Sequence, residues 1–418
     1  MPNSTEVVRS TFVERTQKIV RIGTHRSRDV EETVKRVLRL APVLGITRVA
    51  NVTGLDAIGI PVVMVCRPNA RSLAVSQGKG CDLSSARASG LMEAAELYHA
   101  ETITLPLRLA TYEELRYTYR VADPRDLAHS SGSRFHPNLR LPWAEGHDLV
   151  SNETVLVPYE IVHTNYTIPP PDGHGCFTSS SNGLASGNHP LEAISHGLCE
   201  VVERDATTLW KLRGKARLQQ GRLDLRSVDD PICQDLLQKF DKGRIAVAVW
   251  ALASDINLPV FACYILPREN ATFWRSANIA AGFGCHPARN IALARALTEA
   301  AQSRLTFISG SRDDFWREAY APWPDQDLIE AVLGQASPAG TRRFTDSPNW
   351  ENETLEEDVA CELQSVKEAG LKEVIVIDLT KEELGIPVVR LVVPGLESMA
   401  VPDYLPGRRG RQILGATT

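Results

Sequence analysis

The stretch HPLEAISHGLCEVVERDATTLW, residues 189–210, decides how this chain is read. Glu192, Glu200 and Glu203 stand eight and three positions apart, close to whole turns of an α-helix, and His196 falls between them on the same side. Ile194, Leu198, Val201 and Val202 mark a different, apolar side. The spacing predicts a helix over about residues 190–212, packed on one face and lined with carboxylates on another. Like charges at that spacing repel. Such a face is either plain solvated surface or a place where cations are held.

Working outward, the same grammar recurs about one hundred residues to either side. Gly78-Lys79-Gly80 leads to Glu93 and Glu96, and Gly183 to Gly187 leads to Glu200 and Glu203. Gly282-Phe283-Gly284 leads to Glu299 and Gln302, and Gly-x-His-Pro occurs at both 187–190 and 284–287. A strand, a glycine turn and a helix N-terminus make an anion site, so three copies could line one phosphate-rich pocket. Glycines that cap strands and small residues that let helices pack would read the same way. Five converging carboxylates, Glu93, Glu96, Glu192, Glu200 and Glu203, would need cations, and oxygen ligands favour Mg2+ bridging to a nucleotide. Arg204, Arg295 and Arg304 offer complementary charge for phosphates. Lys79, between two glycines, suits a phosphate or an exposed turn equally. There is no G-x-x-x-x-G-K-[ST] segment and no kinase-type H-R-D or D-F-G set.

The bulk properties allow an enzyme and exclude several other classes. The 418 residues are 43% hydrophobic and 23% charged, ordinary values for a chain with a sizeable core. A net charge of -5 argues against an extended nucleic-acid surface. No apolar run approaches membrane-spanning length, and the opening residues lack a signal-peptide core. The eight cysteines form no C-x-x-C pair, which fits neither a disulfide framework nor a zinc cage. A cytoplasmic chain is expected. Helices are predicted over 29–44, 84–101, 190–212, 288–309 and 357–369, with strands at 47–52, 58–66, 245–253, 259–266, 373–379 and 387–393. Residues 121–150 and 164–182 read as long loops, and 320–355 as a loop-rich insertion.

Ser179-Ser-Ser-Asn-Gly-Leu-Ala-Ser-Gly187, followed by Glu192 and by Glu200-Val-Val-Glu203-Arg204-Asp205, resembles the signature of the YcaO family. Ser76-Gln-Gly-Lys-Gly80 with Ser89 and Glu93-Ala-Ala-Glu96 resembles a second block. Gly282-Phe-Gly284 with Arg295, Glu299, Gln302 and Arg304 resembles a third, and Pro387 to Glu397 a closing strand motif. The resemblance covers roughly residues 15–400 and implies an α+β fold of mixed β-sheets and packed helices, with an ATP cleft built from the three glycine-turn and helix blocks. Residues 1–14 are then an extension and 401–418 a tail, with room for subdomains within 15–400.

The resemblance also implies chemistry: ATP and Mg2+ used to phosphorylate the oxygen of a backbone amide in a peptide or protein. Carried over residue by residue, Glu93, Glu96, Glu192, Glu200 and Glu203 hold Mg2+, with Glu200, Glu203 and Arg204 at the chemistry. Lys79, Ser89, Glu96, Asn188, Glu192, Arg204, Gln302 and Arg304 contact the nucleotide. Azoline-forming members, cyclodehydratases of ribosomal peptide biosynthesis, commonly end in Pro-x-Pro-x-Pro; here only Pro402 and Pro406 stand near the end, and no leader-binding appendage is evident. The chain looks most like the thioamide-forming branch, which takes sulfide from an external source and works with a TfuA-like partner. A cyclodehydratase, a different ATP-dependent ligase or kinase, and a non-catalytic docking scaffold remain as alternatives. No nucleic-acid or membrane partner is expected, and a homodimer is left open.

Overall fold

Asp29 starts the first helix where the sequence expects it. Its carboxylate accepts the Glu31 and Glu32 amides at 2.9 and 3.2 Å, and Gly45 closes α1 (Val30–Leu44) in the left-handed region at φ 71°. The structure is a computed structural model and describes residues 15–268, 279–314, 325–334, 340, 342–398 and 404–416; the expected extension 1–14 lies outside them, as does part of the expected tail and of the 320–355 insertion.

Strands β1 (Arg48–Asn51), β2 (Val62–Cys66) and β3 (Val75–Lys79) precede α2 (Leu83–Glu101). Next come β4 (Leu107–Ala110), the short α3 (Tyr112–Leu115), β5 (Leu141–Asp148), β6 (Glu153–Pro158) and β7 (Leu184–Ser186). Helices α4 (Pro190–Leu212) and α5 (Pro231–Lys242) lead to β8 (Ile245–Ala251), β9 (Val260–Pro267) and β10 (Ala280–Cys285). After α6 (Arg289–Ser309) and α7 (Gln326–Leu333), the chain closes with α8 (Leu355–Glu368), β11 (Ile375–Asp378), β12 (Val388–Val392) and α9 (Arg408–Ala416).

These elements fall into two compact units. The first comprises Met1–Lys18, Ala95–Leu212 and Asn352–Thr418, and the second Ile19–Ala94 and Arg213–Glu351. The boundary between Ala94 and Ala95 lies inside α2.

The second unit uses one plan twice. Sheets β1-β2-β3 and β8-β9-β10 are both antiparallel, each preceded by one helix and followed by another. Of the glycines expected in turns, Gly78, Gly282 and Gly284 instead sit in strands, whereas Gly80 lies just past β3. A Cβ on Gly78 of β3 would lie 2.0 Å from the Ala86 carbonyl oxygen and 2.2 Å from the Gly90 nitrogen. One on Gly284 of β10 would lie 2.1 Å from the Ala292 oxygen and 2.7 Å from the Ala296 nitrogen. In both copies the helix backbone presses on the strand eight and twelve residues after the glycine, a contact only glycine permits. Phe240, Phe261 and Phe344 fill the core of this unit with Leu293 and Leu297 of α6.

The first unit holds a six-stranded sheet, β4-β5-β11-β12-β7, with β6 also on β5. Its central strand β5 runs through 141–148, which the sequence reading assigns to a loop. Leu-Pro-Trp-Ala-Glu-Gly-His-Asp has the composition of a turn, yet Trp143 is fully buried and Gly146 leaves space for Ile375 of the neighbouring β11. All ladders between named strands are antiparallel, where mixed sheets were expected. Short connections such as β2 to β3 and β5 to β6 can join only antiparallel neighbours. Among the described residues no helix is long and apolar enough to cross a membrane.

Candidate functional site

Helix α4 takes the limits its pattern predicts and is buried on nearly every side. Ile194, Leu198, Val201 and Val202 are packed, but so are two of the three carboxylates: Glu192 is 4% exposed and Glu203 6%. A carboxylate kept from water needs donors or positive charge around it. Glu192 Oε2 accepts the Asn188 amide at 2.8 Å, joining two of the expected site residues at the start of the helix. Glu200 keeps partial access to solvent and meets Arg204, one turn on, at 3.5 Å.

The main positive charge here is one the sequence reading did not single out. Arg390 of β12 is fully buried. Its guanidinium donates to the Val162 carbonyl at 3.1 and 3.0 Å, to Ser180 at 3.0 Å and to Asn182 at 2.8 Å. Burial lowers its pKa, while Tyr166, Glu200 and Glu96 act in the opposite direction. Glu96 of α2 and Glu200 of α4 therefore lie close enough to share one cation's field. The signal was in the sequence: an arginine inside Val-Val-Arg-Leu-Val breaks an otherwise apolar strand.

Two further acids tie α4 to its neighbours. Glu362 of α8, fully buried, accepts the Ser195 hydroxyl at 2.6 Å and lies 3.4 Å from Cys199 Sγ. Burial pushes its carboxyl well above the usual carboxylate range. Asp205, also fully buried, takes Arg409 of α9 and the Glu397 amide, and burial raises its carboxyl to about 6 despite them.

In the second unit β3 brings Lys79 to Glu299 of α6 as an ion pair. The repeated plan extends to the acids: the Gln77 amide faces Glu93 Oε1 at 3.4 Å, and the Phe283 amide faces Glu299 Oε1 at 3.3 Å, each sixteen residues apart. Ser89 and Glu93 share a stripe of α2 that continues to Glu96. Gln302 lies on the Glu299 side of α6. Arg304 leaves the opposite side and stands 3.3 Å from Asp56, which is 96% buried on its side chain; burial raises the Asp56 carboxyl in spite of this pair. Arg312 pairs with Asp314 at 2.7 Å and feels the Glu93 charge.

At the helix starts that follow the glycines, some first-turn amides are already held by side chains. Asp82 accepts the Ser85 amide at 2.7 Å at the head of α2. At α4, His189 Nδ1 takes the Leu191 amide at 3.3 Å. At α6, His286 Nδ1, Asn349 and Asn290 accept the amides of Ala288, Arg289 and Ile291 at 3.0, 3.0 and 2.9 Å. Protein acceptors already occupy these first-turn donors.

In the first unit the arrangement is thus one of α4 carboxylates with Arg204 and Arg390 as counter-charges, and in the second unit Lys79 pairs with Glu299. Among the described residues no three of the expected carboxylates lie within 4.8 Å of one another. Comparison with known proteins agrees in kind. A family profile described as YcaO cyclodehydratase, ATP- and Mg2+-binding, matches residues 77–397. A Rhizobium leguminosarum bv. trifolii protein, known as an uncharacterised protein in the tfuA 3′ region, is 35% identical over 363 residues, 86% of each chain. The solved YcaO of Methanopyrus kandleri, bound with AMPPCP and Mg2+, has a TM-score of 0.72 at 25% identity and covers 91% of this chain and 95% of its own. A heterocyclase solved in complex with substrate and cofactor has a TM-score of 0.76 at 25% identity; the match covers 94% of this chain but 56% of that longer one. ATP and Mg2+, expected from the sequence, are the ligands that the family's description carries. On the strength of the profile and of this 35% identity along most of its length, the chain belongs to the YcaO family.

Proposed function

We propose that this chain activates a backbone amide of a peptide or protein by phosphorylating its oxygen, that sulfide then attacks to give a thioamide, and that a TfuA-like protein assists. The observation that carries the ATP-dependent part is the pair of glutamates, Glu192 and Glu203, set more than nine-tenths out of water on α4. Buried acids on a helix whose Glu200 lies beside Arg204 and acts on Arg390 fit a site completed by a cation and a polyphosphate. In the first unit Glu96, Glu192, Glu200 and Glu203 are the residues proposed for Mg2+, and Asn188 and Arg204 those for the nucleotide. In the second unit Glu93 is proposed for Mg2+ and Lys79, Ser89 and Gln302 for the nucleotide, with Arg304 joining them only by exchanging Asp56. ATP supplies a phosphoryl group that turns a poor amide leaving group into a good one, and Mg2+ neutralises the polyphosphate.

For the chain itself the task is placement and charge. The carboxylates fix the ions, Arg204 meets the phosphates, and packing around α4 keeps water from competing with the nucleophile. The partner is supported by the relative in the tfuA 3′ region, and the thioamide by the resemblance to the TfuA-associated branch. The cyclodehydratase description and the heterocyclase likeness favour a second reading, in which a Cys, Ser or Thr side chain of the substrate closes onto the carbon to give an azoline. Substrate mass separates them after incubation with ATP, with ATP and sulfide, and with both plus a TfuA-like protein. A sulfide-dependent exchange of oxygen for sulfur supports the thioamide. Loss of one water with ATP alone overturns it in favour of the azoline.

A further inference from the structure

We propose that Gln77 is a further ligand-contacting residue, its side-chain amide donating to a phosphate oxygen of the Mg2+-bound nucleotide; the inference rests on the nucleotide-binding reading above. Gln77 precedes Lys79 by two positions in β3, so both side chains leave one face of the strand. On that face Lys79 meets Glu299 and Gln77 Oε1 accepts the Thr306 hydroxyl, both partners lying on one stripe of α6. The amide is thereby oriented, and Gln77 is only 4% exposed, yet its Nε2 has no acceptor. A buried donor with both hydrogens unused is a rare and unfavourable state of a folded chain, and an arriving anionic oxygen relieves it. Its own main-chain amide faces Glu93 Oε1 at 3.4 Å, so the residue neighbours a carboxylate proposed to hold Mg2+.

The repeated plan shows that the fold does not ask for an amide here. In the second copy the equivalent strand residue, sixteen positions before Glu299, is Phe283, which is 7% exposed and packs edge-on to Tyr264 at 6.2 Å. The residue sixteen positions before Glu200 is Leu184, also buried. An apolar side chain serves the scaffold at both places. Gln77 alone carries a polar group, and that group is left incomplete by the protein.

Calorimetric titration of the full chain with a non-hydrolysable ATP analogue and Mg2+ tests this. Gln77→Met keeps the length and removes the donor. It is expected to bind about tenfold more weakly, the weight of one hydrogen bond to a charged oxygen, while the thermal midpoint of the ligand-free chain stays level or rises. Gln77→Glu keeps the shape and offers only acceptors, so it should lose at least as much. Affinities within twofold of the unaltered chain would overturn the role of Gln77 and leave the nucleotide reading standing. A Gln77→Met chain that no longer folds would assign the amide to structure and also overturn it. Failure of the unaltered chain to bind the analogue overturns both readings together.

Discussion

Arg409 grips Asp205 with two prongs, Nε at 3.0 Å and Nη2 at 2.9 Å from the carboxylate oxygens. The pair joins the last helix to α4 two residues beyond Glu203, and Glu397 completes the joint by accepting the Gly407 and Gly410 amides at 2.8 and 2.6 Å. Removing the guanidinium leaves a fully buried carboxyl without its partner. Arg409→Ala is therefore expected to lower unfolding free energy by about 3 kcal/mol, read from urea denaturation. The double variant Asp205→Leu with Arg409→Met should recover most of that loss, because neither charge then stays buried alone. Equal destabilisation of the single and double variants would show that α9 docks through other contacts.

Magnesium should be required for nucleotide binding, since carboxylates beside a polyphosphate repel it by several kcal/mol in a partly buried site. Calorimetry with an ATP analogue should show binding in millimolar Mg2+ and none measurable in EDTA. Affinity unchanged by EDTA would remove the glutamates from the nucleotide site.

Acid should weaken the fold partly through His163. This imidazole is 1% exposed, and burial, then the His174 and Arg390 charges, lower its pKa from 6.5 to about 4. The folded state thus disfavours the protonated ring. The stability from a neutral His163 is complete above pH 6.5 and is lost as pH falls through about 4, a change of about 3 kcal/mol. His163→Gln should flatten that part of the stability profile. A profile between pH 6.5 and 4 identical to that of the unaltered chain would refute the assignment.

Where one rule governed local structure, the sequence was easy to read. Asp29, Gly45 and the apolar spacing bound α1, and the carboxylate-bearing pattern 190–212 is α4 residue for residue. What it hid was set by tertiary contact. Strand β5 lies in a run of Pro, Glu, Gly, His and Asp because neighbours on both edges, not its own propensity, make it a strand. Gly78 and Gly284 signalled turns, whereas their use is to let a helix backbone touch a strand. At the site, three glutamates were visible by spacing on one helix, but Arg390 of β12 acts on Glu200 and Glu362 of α8 holds Ser195, each from far along the chain, and spacing carries nothing about such partners.

Glu203 and Glu362 offer the sharpest test of the charge argument, since both are buried glutamates that touch or belong to α4 and both can be replaced by an amide of equal volume. Glu203→Gln is expected to lower substrate-dependent ATP turnover at least a hundredfold, because a neutral amide is a far weaker magnesium ligand than a carboxylate. Its thermal midpoint should be unchanged or raised, as one of several clustered negative charges has gone. Glu362 is the control. Burial already holds its carboxyl well above the usual range, with the Ser195 hydroxyl donating to it at 2.6 Å, so glutamine reproduces the protonated state it favours. Glu362→Gln should keep turnover within a few fold. Its stability should also fall less with rising pH, since the extra stability of the protonated acid is complete below its ordinary pKa of 4.5 and is lost as pH climbs through the raised folded value. Normal turnover by Glu203→Gln would take that residue out of the site. An equal loss in both variants would trace the effect to the integrity of α4 and not to a carboxylate at the chemistry.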